Sequence, residues 1–319
     1  MHNRKIAVHF LQTDAWKNFQ ESLGRQTFHD EGSGWSYLAI LETGTGNSRI
    51  YCPYGPTFSD EAGLEEALNS LITLARKLNV TFVRIEPVDP SVIPYLANHK
   101  WRKVDYQHLN PERTIVVDLT PSVDDIIAKM TPTNRNLYRN YAKKGLSIHH
   151  STDPKDMSPF LELIDKVAQR TGMRPHSDNY FLAQAESLFP TNSASLFYVK
   201  YNEKTIAASL IYDNQTTRYY AHAGNDSDYR KLSAGNILVA EMIVDAKNKG
   251  LSSFDLYGVA PVDAPVSHPW AGFSAFKRGF GGQEVVYTGS WDLPIKPLPY
   301  HIYRQYQKIY HSVRSHKQT

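Results

Sequence analysis

The sequence predicts an α+β protein built from two copies of one layout. Three observations carry this: a length of 319 residues, one order of elements that occurs twice, and a basic junction between the two occurrences. The length suits two domains that each bury a core. With 41% hydrophobic and 21% charged residues the composition is that of a soluble globular chain. No run approaches the roughly 20 apolar residues of a membrane span. The opening "MHNRKIAVHFLQTDAW" lacks an apolar segment followed by a small-residue cleavage site, which predicts no export and a cytoplasmic protein. A single cysteine, Cys52, excludes an internal disulfide framework and a cysteine-based zinc site. Its setting, "RIYCPYGP", reads as a strand end and makes it a small core residue rather than a nucleophile. A net charge of +3 is only mildly basic, so any nucleic-acid partner has to meet a local patch.

The first half reads as a helix at "TDAWKNFQESLG", strands at "WSYLAILE" and "SRIYCPY", and a long helix at "SDEAGLEEALNSLITLARKL". There Leu64, Leu68, Leu71 and Leu74 recur at helical spacing behind an acidic first turn, with Ser59 or Asp60 as the cap. A strand, "VTFVRIEP", a short helix, "SVIPYLANHKW", and "TIVVDLT" follow. The second half has a helix at "DMSPFLELIDKVAQRTG", then strands "ASLFYVKYN", "KTIAASLIYDN" and "TTRYYAHAG", the long helix "AGNILVAEMIVDAKNKG" and the strand "SSFDLYG". In each half the strand that follows the long crossover helix carries an acid, Glu86 and then Asp255. This is the layout of the acyltransferase fold related to the N-acetyltransferases (GNAT), here in two tandem domains. The expected domains are 1–120 plus 290–319, and 121–289.

At the junction, "TPTNRNLYRNYAKKGLSIHH", Arg135, Arg139 and Lys143 fall every four residues, with Lys144 beside them. Like charges on one helical face repel, so the stripe is either a solvated face or the contact for an anion such as tRNA phosphate. His149 and His150 are adjacent in a strand pattern and point to opposite faces, which makes no metal cluster. The tail, "YHIYRQYQKIYHSVRSHKQT", is basic and aromatic and reads as an amphipathic helix.

Five stretches in order, "FLQTDAW", "YCPYGPTF", "LYRNYAKKGLSI", "RTGMRPHSDNYF" and "FDLYGVAP" with "FSAFKRGFGG", resemble the Fem-type (FemABX) peptidoglycan aminoacyltransferases over nearly the whole chain. The resemblance implies transfer of an amino acid from aminoacyl-tRNA, as co-substrate and without a cofactor, to an amino group on the stem peptide of a cell-wall precursor. The precursor is UDP-MurNAc-pentapeptide or lipid II. No segment suits the long helical arm of staphylococcal-type members, which favours the soluble, nucleotide-linked acceptor; the resemblance also implies a monomer, and the lack of a long apolar run predicts no stable membrane insertion.

An aminoacyl ester is already activated, so the enzyme needs alignment, a proton acceptor and a charge for the tetrahedral oxyanion, not a covalent nucleophile. Lys277, in "HPWAGFSAFKRGFGG", is the cation assigned to that charge. Ala271, Gly272, Ala275, Gly279, Gly281 and Gly282 would let a substrate backbone approach, and the phenylalanines would exclude water. By resemblance Phe276 and Lys277 match the family's functional Phe-Lys pair, Glu86 its acid at the substrate cleft, and Arg174 an arginine on the acceptor phosphates. Glu86 is also open to a plain ion pair with Arg84, two residues away. Two extra residues between Arg174-Pro175 and Tyr180-Phe181 weaken the match at Tyr180. Asn18 stands where the family has a lysine, with Lys17 adjacent as the substitute phosphate contact. Tyr220 and His222 match a cleft-facing aromatic, or are satisfied strand residues.

Two other readings stay open. "RKLSAG" approximates the pyrophosphate loop of acetyl-CoA-dependent N-acetyltransferases, with Arg230 and Gly235 in place but Ser233 where the first glycine belongs. A non-catalytic muropeptide- or RNA-binding protein on the same fold is the other.

Overall fold

A computed structural model describes residues 8–44, 46–107 and 109–315, and the side chains only as far as 311. Residues 1–7, on which the expectation about export rests, and 316–319, the end of the first expected domain, lie outside the described residues. The chain divides into two compact units, one made of the chain up to Glu112 and from Val286 onward, the other of Arg113–Val285.

The first unit opens with α1 (Asp14–Ser22), then the antiparallel strands β1 (Thr27–Gly32), β2 (Trp35–Gly44) and β3 (Asn47–Cys52), with the short β4 (Thr57–Phe58) against β2. Helix α2 (Glu61–Lys77) crosses over to β5 (Phe82–Ile85), which lies parallel to β3. The short α3 (Ile93–Asn98) and β6 (Arg102–Lys103) follow. Helix α2 starts where its sequence says. Asp60 caps it by accepting from the Gly63 amide at 2.8 Å, and Leu64, Leu68 and Leu71 are buried against the sheet.

The second unit runs through β7 (Arg113–Asp118), α4 (Val123–Lys129), α5 (Pro132–Asn140), β8 (Leu146–Ser151), α6 (Ser158–Thr171), α7 (Asp178–Leu188), β9 (Ala194–Tyr201), β10 (Lys204–Asp213) and β11 (Thr217–Asn225). Then come α8 (Ala234–Asn248), β12 (Ser253–Asp255), α9 (Ala271–Arg278) and β13 (Gln283–Val286). The chain returns to the first unit with β14 (Trp291–Pro294) and α10 (Pro297–Ser315).

Each unit has the same plan: an antiparallel meander, a long crossover helix, and a strand parallel to the last strand of the meander. In the second unit the sheet order is β13-β7-β12-β11-β10-β9-β8, with α8 buried on almost every side through Ile237, Leu238, Val239, Met242 and Ile243. The strand that then pairs antiparallel with the crossover strand is local in neither unit. It is β14 for the first and β7 for the second. The dividing point therefore precedes "TIVVDLT", because Val116, Val117 and Asp118 pair with β12. His149 and His150 sit in β8 against Tyr198 and Phe197, neighbours on opposite faces of β9.

One local irregularity decides the site. Between the pairs Leu210–His222 and Tyr212–Tyr219 the register of β10 and β11 shifts, so Tyr220 and Ala221 both oppose Ile211. Such a bulge breaks strand alternation. Tyr220 and His222, two apart, would share a face in a regular strand. Here Tyr220 packs with the α8 core, whereas His222 lies against Phe181 of α7 and Tyr212.

Candidate active site

Strands β11 and β12 pair through only three residues, Thr217 to Tyr219 with Ser253 to Asp255. Beyond Asp255 the chain stays with β7, where the Leu256 amide donates to the Ile115 carbonyl at 2.9 Å and the Val259 amide to that of Arg113 at 3.0 Å. Strand β11 meanwhile continues to Asn225. The two strands thus separate after Tyr219, and Tyr257 turns the chain with φ of 60°, its amide donating to Asp255 Oδ1 at 2.7 Å. Thr114 Oγ1 donates to the same oxygen, so Asp255 is held from two strands.

Lys277 reaches this place from the last turn of α9. Its side chain is buried, and Nζ donates to the Gly258 carbonyl at 2.8 Å. Nζ also lies 4.9 Å from the Phe273 ring centre and 5.7 Å from that of Tyr220. Burial pushes the Lys277 amine down from 10.5 to about 8, with the Asp255 charge pulling the other way. An ammonium has three donors. Among the described residues only the Gly258 carbonyl takes one, so this buried cation keeps donors to offer.

Helix α9 is fixed by its polar residues. Ser274 Oγ accepts from the Ala260 amide at 2.8 Å and donates to the Trp270 carbonyl at 2.6 Å, while Arg278 donates to the Ala260 carbonyl at 2.7 Å. At its far end Asn134 Nδ2 donates to the Gly279 carbonyl at 2.9 Å, and Asn236 at the start of α8 donates to Asn134 Oδ1 at 2.8 Å.

Several expectations change here. Phe276 packs into the core beside Phe280, at 5.2 Å, and anchors the helix. The aromatic over Lys277 is Phe273, one turn earlier, a partner the i, i+4 spacing could have revealed. The glycines serve the fold itself. A Cβ on Gly279 would come within 2.8 Å of Asn134, and one on Gly282, at φ 93°, within 2.7 Å of the Val116 carbonyl oxygen. Gly272 and Ala275 alone present open small-residue surface.

His222 and Tyr180 form a second group in this unit. Tyr180 stacks on His176 at 4.0 Å, and His176 lies edge-on to His222 at 6.1 Å. Gln184 donates to the Tyr212 hydroxyl at 2.6 Å, and that hydroxyl is hydrogen-bonded to His222 Nε2 at 3.0 Å. Burial, with a smaller push from His176, holds His222 down at about 3, so it is neutral. Arg174, two residues before His176, is exposed and makes no hydrogen bond or ion pair among the described residues.

The basic stripe divides. Arg135 Nη1 donates to the Ala128 and Met130 carbonyls at 2.9 and 2.5 Å, closing the end of α4. Helix α5 stops at Asn140, and Lys143 and Lys144 fall in a separate 3-10 turn, Ala142–Lys144. The expected single helical face therefore does not form. Arg139, Lys143 and Lys144 remain exposed.

In the first unit Glu86 is buried directly after β5. Its Oε2 accepts from the Tyr51 hydroxyl at 2.8 Å and Asn110 Nδ2 at 2.7 Å, and Oε1 from Ser290 at 2.5 Å. The alternative pairing with Arg84 is overturned: Arg84 is fully buried and forks onto Asp292 at 2.7 and 2.8 Å. Lys17, on α1, lies 3.9 Å from Glu21 and is one-third exposed. Cys52 is buried, its thiol pushed up by desolvation, as a core residue should be. At "RKLSAG", Ser233 takes the left-handed φ of 55° that the missing glycine would occupy freely, and makes no side-chain cap. Gly235 is needed because a Cβ there would meet Asn225 at 2.8 Å.

Residues 191–308 match the model of the FemAB family. This stretch holds Lys277, Tyr220 and His222, but not Glu86, Arg174 or the basic junction. The chain is 26% identical over 170 residues to the lipid II:glycine glycyltransferase of Staphylococcus haemolyticus, covering 50% of this chain and 40% of that protein. It is 28% identical over 108 residues to the aminoacyltransferase FemA of Staphylococcus epidermidis, covering 34% and 26%. The chain thus spans well under half of these relatives' lengths. In fold it is similar to FemX, with a TM-score of 0.84 at 14% identity over 95% of this chain and 96% of that one. It is also similar to a tandem GNAT protein from the clavulanic acid pathway, with a TM-score of 0.52 at 15% identity over 82% and 79%. The likeness to the FemAB family thus rests on residues 191–308 and on these partial sequence relatives, and the two GNAT-like halves agree with it in fold.

Proposed function

We propose that the protein transfers an aminoacyl group from aminoacyl-tRNA to the stem-peptide amine of a peptidoglycan precursor. The observation that carries this reading is Lys277, a buried ammonium holding one hydrogen bond where β11 and β12 part. The acceptor amine attacks the ester carbonyl, and a C–N bond forms. The carbonyl oxygen gains the negative charge, which the spare Lys277 donors meet in a low-dielectric setting. The C–O bond to the 3′ ribose then breaks, and the leaving oxygen takes the proton the amine gives up. Lys277 stays protonated throughout, and no covalent enzyme intermediate is needed.

Arg174 and Tyr180 are assigned to the acceptor. Arg139, Lys143 and Lys144 are assigned to tRNA phosphates, together with Arg135, whose Nη1 also closes α4. Glu86 is assigned to shaping its own unit, since both oxygens are already engaged. The acceptor is UDP-MurNAc-pentapeptide or lipid II, and the protein works as a monomer.

Mass spectrometry of UDP-MurNAc-pentapeptide and of lipid II, after incubation with protein and a pool of charged bacterial tRNAs, tests the proposal, with acetyl-CoA as a parallel donor. A tRNA-dependent gain of one amino-acid residue on either acceptor supports it. An acetyl gain, or no gain on both acceptors, overturns it.

A further inference from the structure

Helix α10 carries apolar residues on two opposite faces. The inner face packs on its own unit: Tyr300 is fully buried with its ring 5.2 Å from Phe82, and the Tyr303 ring lies 5.0 Å from Phe82. The outer face holds Leu298, Ile302, Tyr306, Ile309 and Tyr310, exposed by 71, 62, 63, 64 and 43%. At about 100° per residue these five fall within one arc of about 120°, along about 18 Å of helix. Isolated exposed apolar residues need no explanation, but a continuous stripe does.

The charge around the stripe says what covers it. From Leu293 to Thr319 the sequence has no aspartate or glutamate, while Lys296, Arg304, Lys308, Arg314 and Lys317 are cationic. On the helix wheel the two tyrosines, stacked at 6.2 Å, form one edge of the arc, and His301 and Lys308 lie about 60° and about 80° beyond the other. Lys308 approaches Asp105 at 3.3 Å in a water-exposed pair that leaves its charge available, while Arg304, 3.8 Å from Asp105, is three-quarters buried. An apolar face edged by tyrosines and flanked by cations is the pattern of a helix lying in the headgroup layer of an anionic bilayer. Among the described residues no helix is long and apolar enough to cross a membrane.

We infer that α10 seats the protein on an anionic lipid bilayer, with Leu298, Ile302, Tyr306, Ile309 and Tyr310 in the interface and His301 and Lys308 flanking it toward the phosphates. This does not rest on the reaction proposed above.

Co-sedimentation of the full chain with vesicles of phosphatidylglycerol and phosphatidylcholine, against phosphatidylcholine alone, tests it. The anionic vesicles should bind the protein, less so as salt rises, and Ile302→Glu with Ile309→Glu should weaken binding at least tenfold. Both side chains are exposed, so the thermal transition should not move. If the double variant unfolds, Tyr306→Ser with Tyr310→Ser takes its place, with the same expectation. No binding to anionic vesicles, equal binding by a folded variant, or a wild-type dimer that the variant dissociates would each overturn the inference.

Discussion

In the first unit the carboxylate after the crossover strand, Glu86, is saturated: a tyrosine, an asparagine and a serine fill both oxygens. In the second unit the acid at the matching point, Asp255, is steadied by Thr114 and the Tyr257 amide and lies in the field of a buried lysine. The first unit also holds a buried cation, Arg84, but a two-point bond to Asp292 consumes it. Lys277 has a single carbonyl. One topology therefore supports a closed polar network and a cation kept short of partners. A group with unspent donors and a lowered pKa is poised for chemistry, whereas a satisfied network specifies structure.

Removing the poised cation should have the largest effect. Lys277→Met is expected to lower turnover by roughly 100- to 1000-fold with acceptor binding kept, the scale of losing one oxyanion donor. The same variant should be more stable. The unfolded lysine titrates near 10.5 and the folded one at about 8, so the unfolded chain binds more protons between those values and stability rises with pH across that window. At pH 7 the cost of burying the charge is fully present. Its removal should gain up to roughly 3 kcal/mol in denaturant melts, less whatever the lost packing and hydrogen bond contribute.

The saturated acid should answer in the opposite way. Glu86→Ala leaves three donors facing a cavity and is expected to cost about 2–4 kcal/mol of stability in the same melts. Glu86→Gln, which keeps the shape, should change turnover by less than about tenfold. A collapse of turnover in folded Glu86→Gln would make this residue a proton carrier and erase the contrast between the units. The smallest effect concerns the loop before α8. Ser233→Gly relieves a left-handed residue and should stabilise the chain by about 0.5–1 kcal/mol without creating an acetyl-CoA-dependent activity.

Much of this frame was legible in the sequence, because it rests on periodicity. Leu64, Leu68 and Leu71 with the Asp60 cap declare α2, and the run from Ile237 to Ile243 declares the buried α8. Lys277 could be found as a lone cation among small and aromatic residues. The separation of Tyr220 from His222 could not, since one extra residue in β11 is invisible to an alternating pattern that continues on either side. Nor could the partners of Glu86, which come from Tyr51, Asn110 and Ser290, far apart in the chain. The strand β1, "TFHDEG", is largely exposed and carries too few apolar residues to show a face. The glycines after α9 look in the sequence like openings for substrate, yet their nearest neighbours belong to α4, α5 and β7, contacts only the fold discloses.

The single-turnover rate of aminoacyl transfer, followed from pH 6 to 10 in the wild type and in Lys277→Arg, tests the central claim most directly. If the protonated Lys277 stabilises the oxyanion, the wild-type rate falls as pH rises through about 8, and an arginine that stays charged removes that fall. An alkaline limb that persists at the same pH in an active Lys277→Arg enzyme would contradict the account.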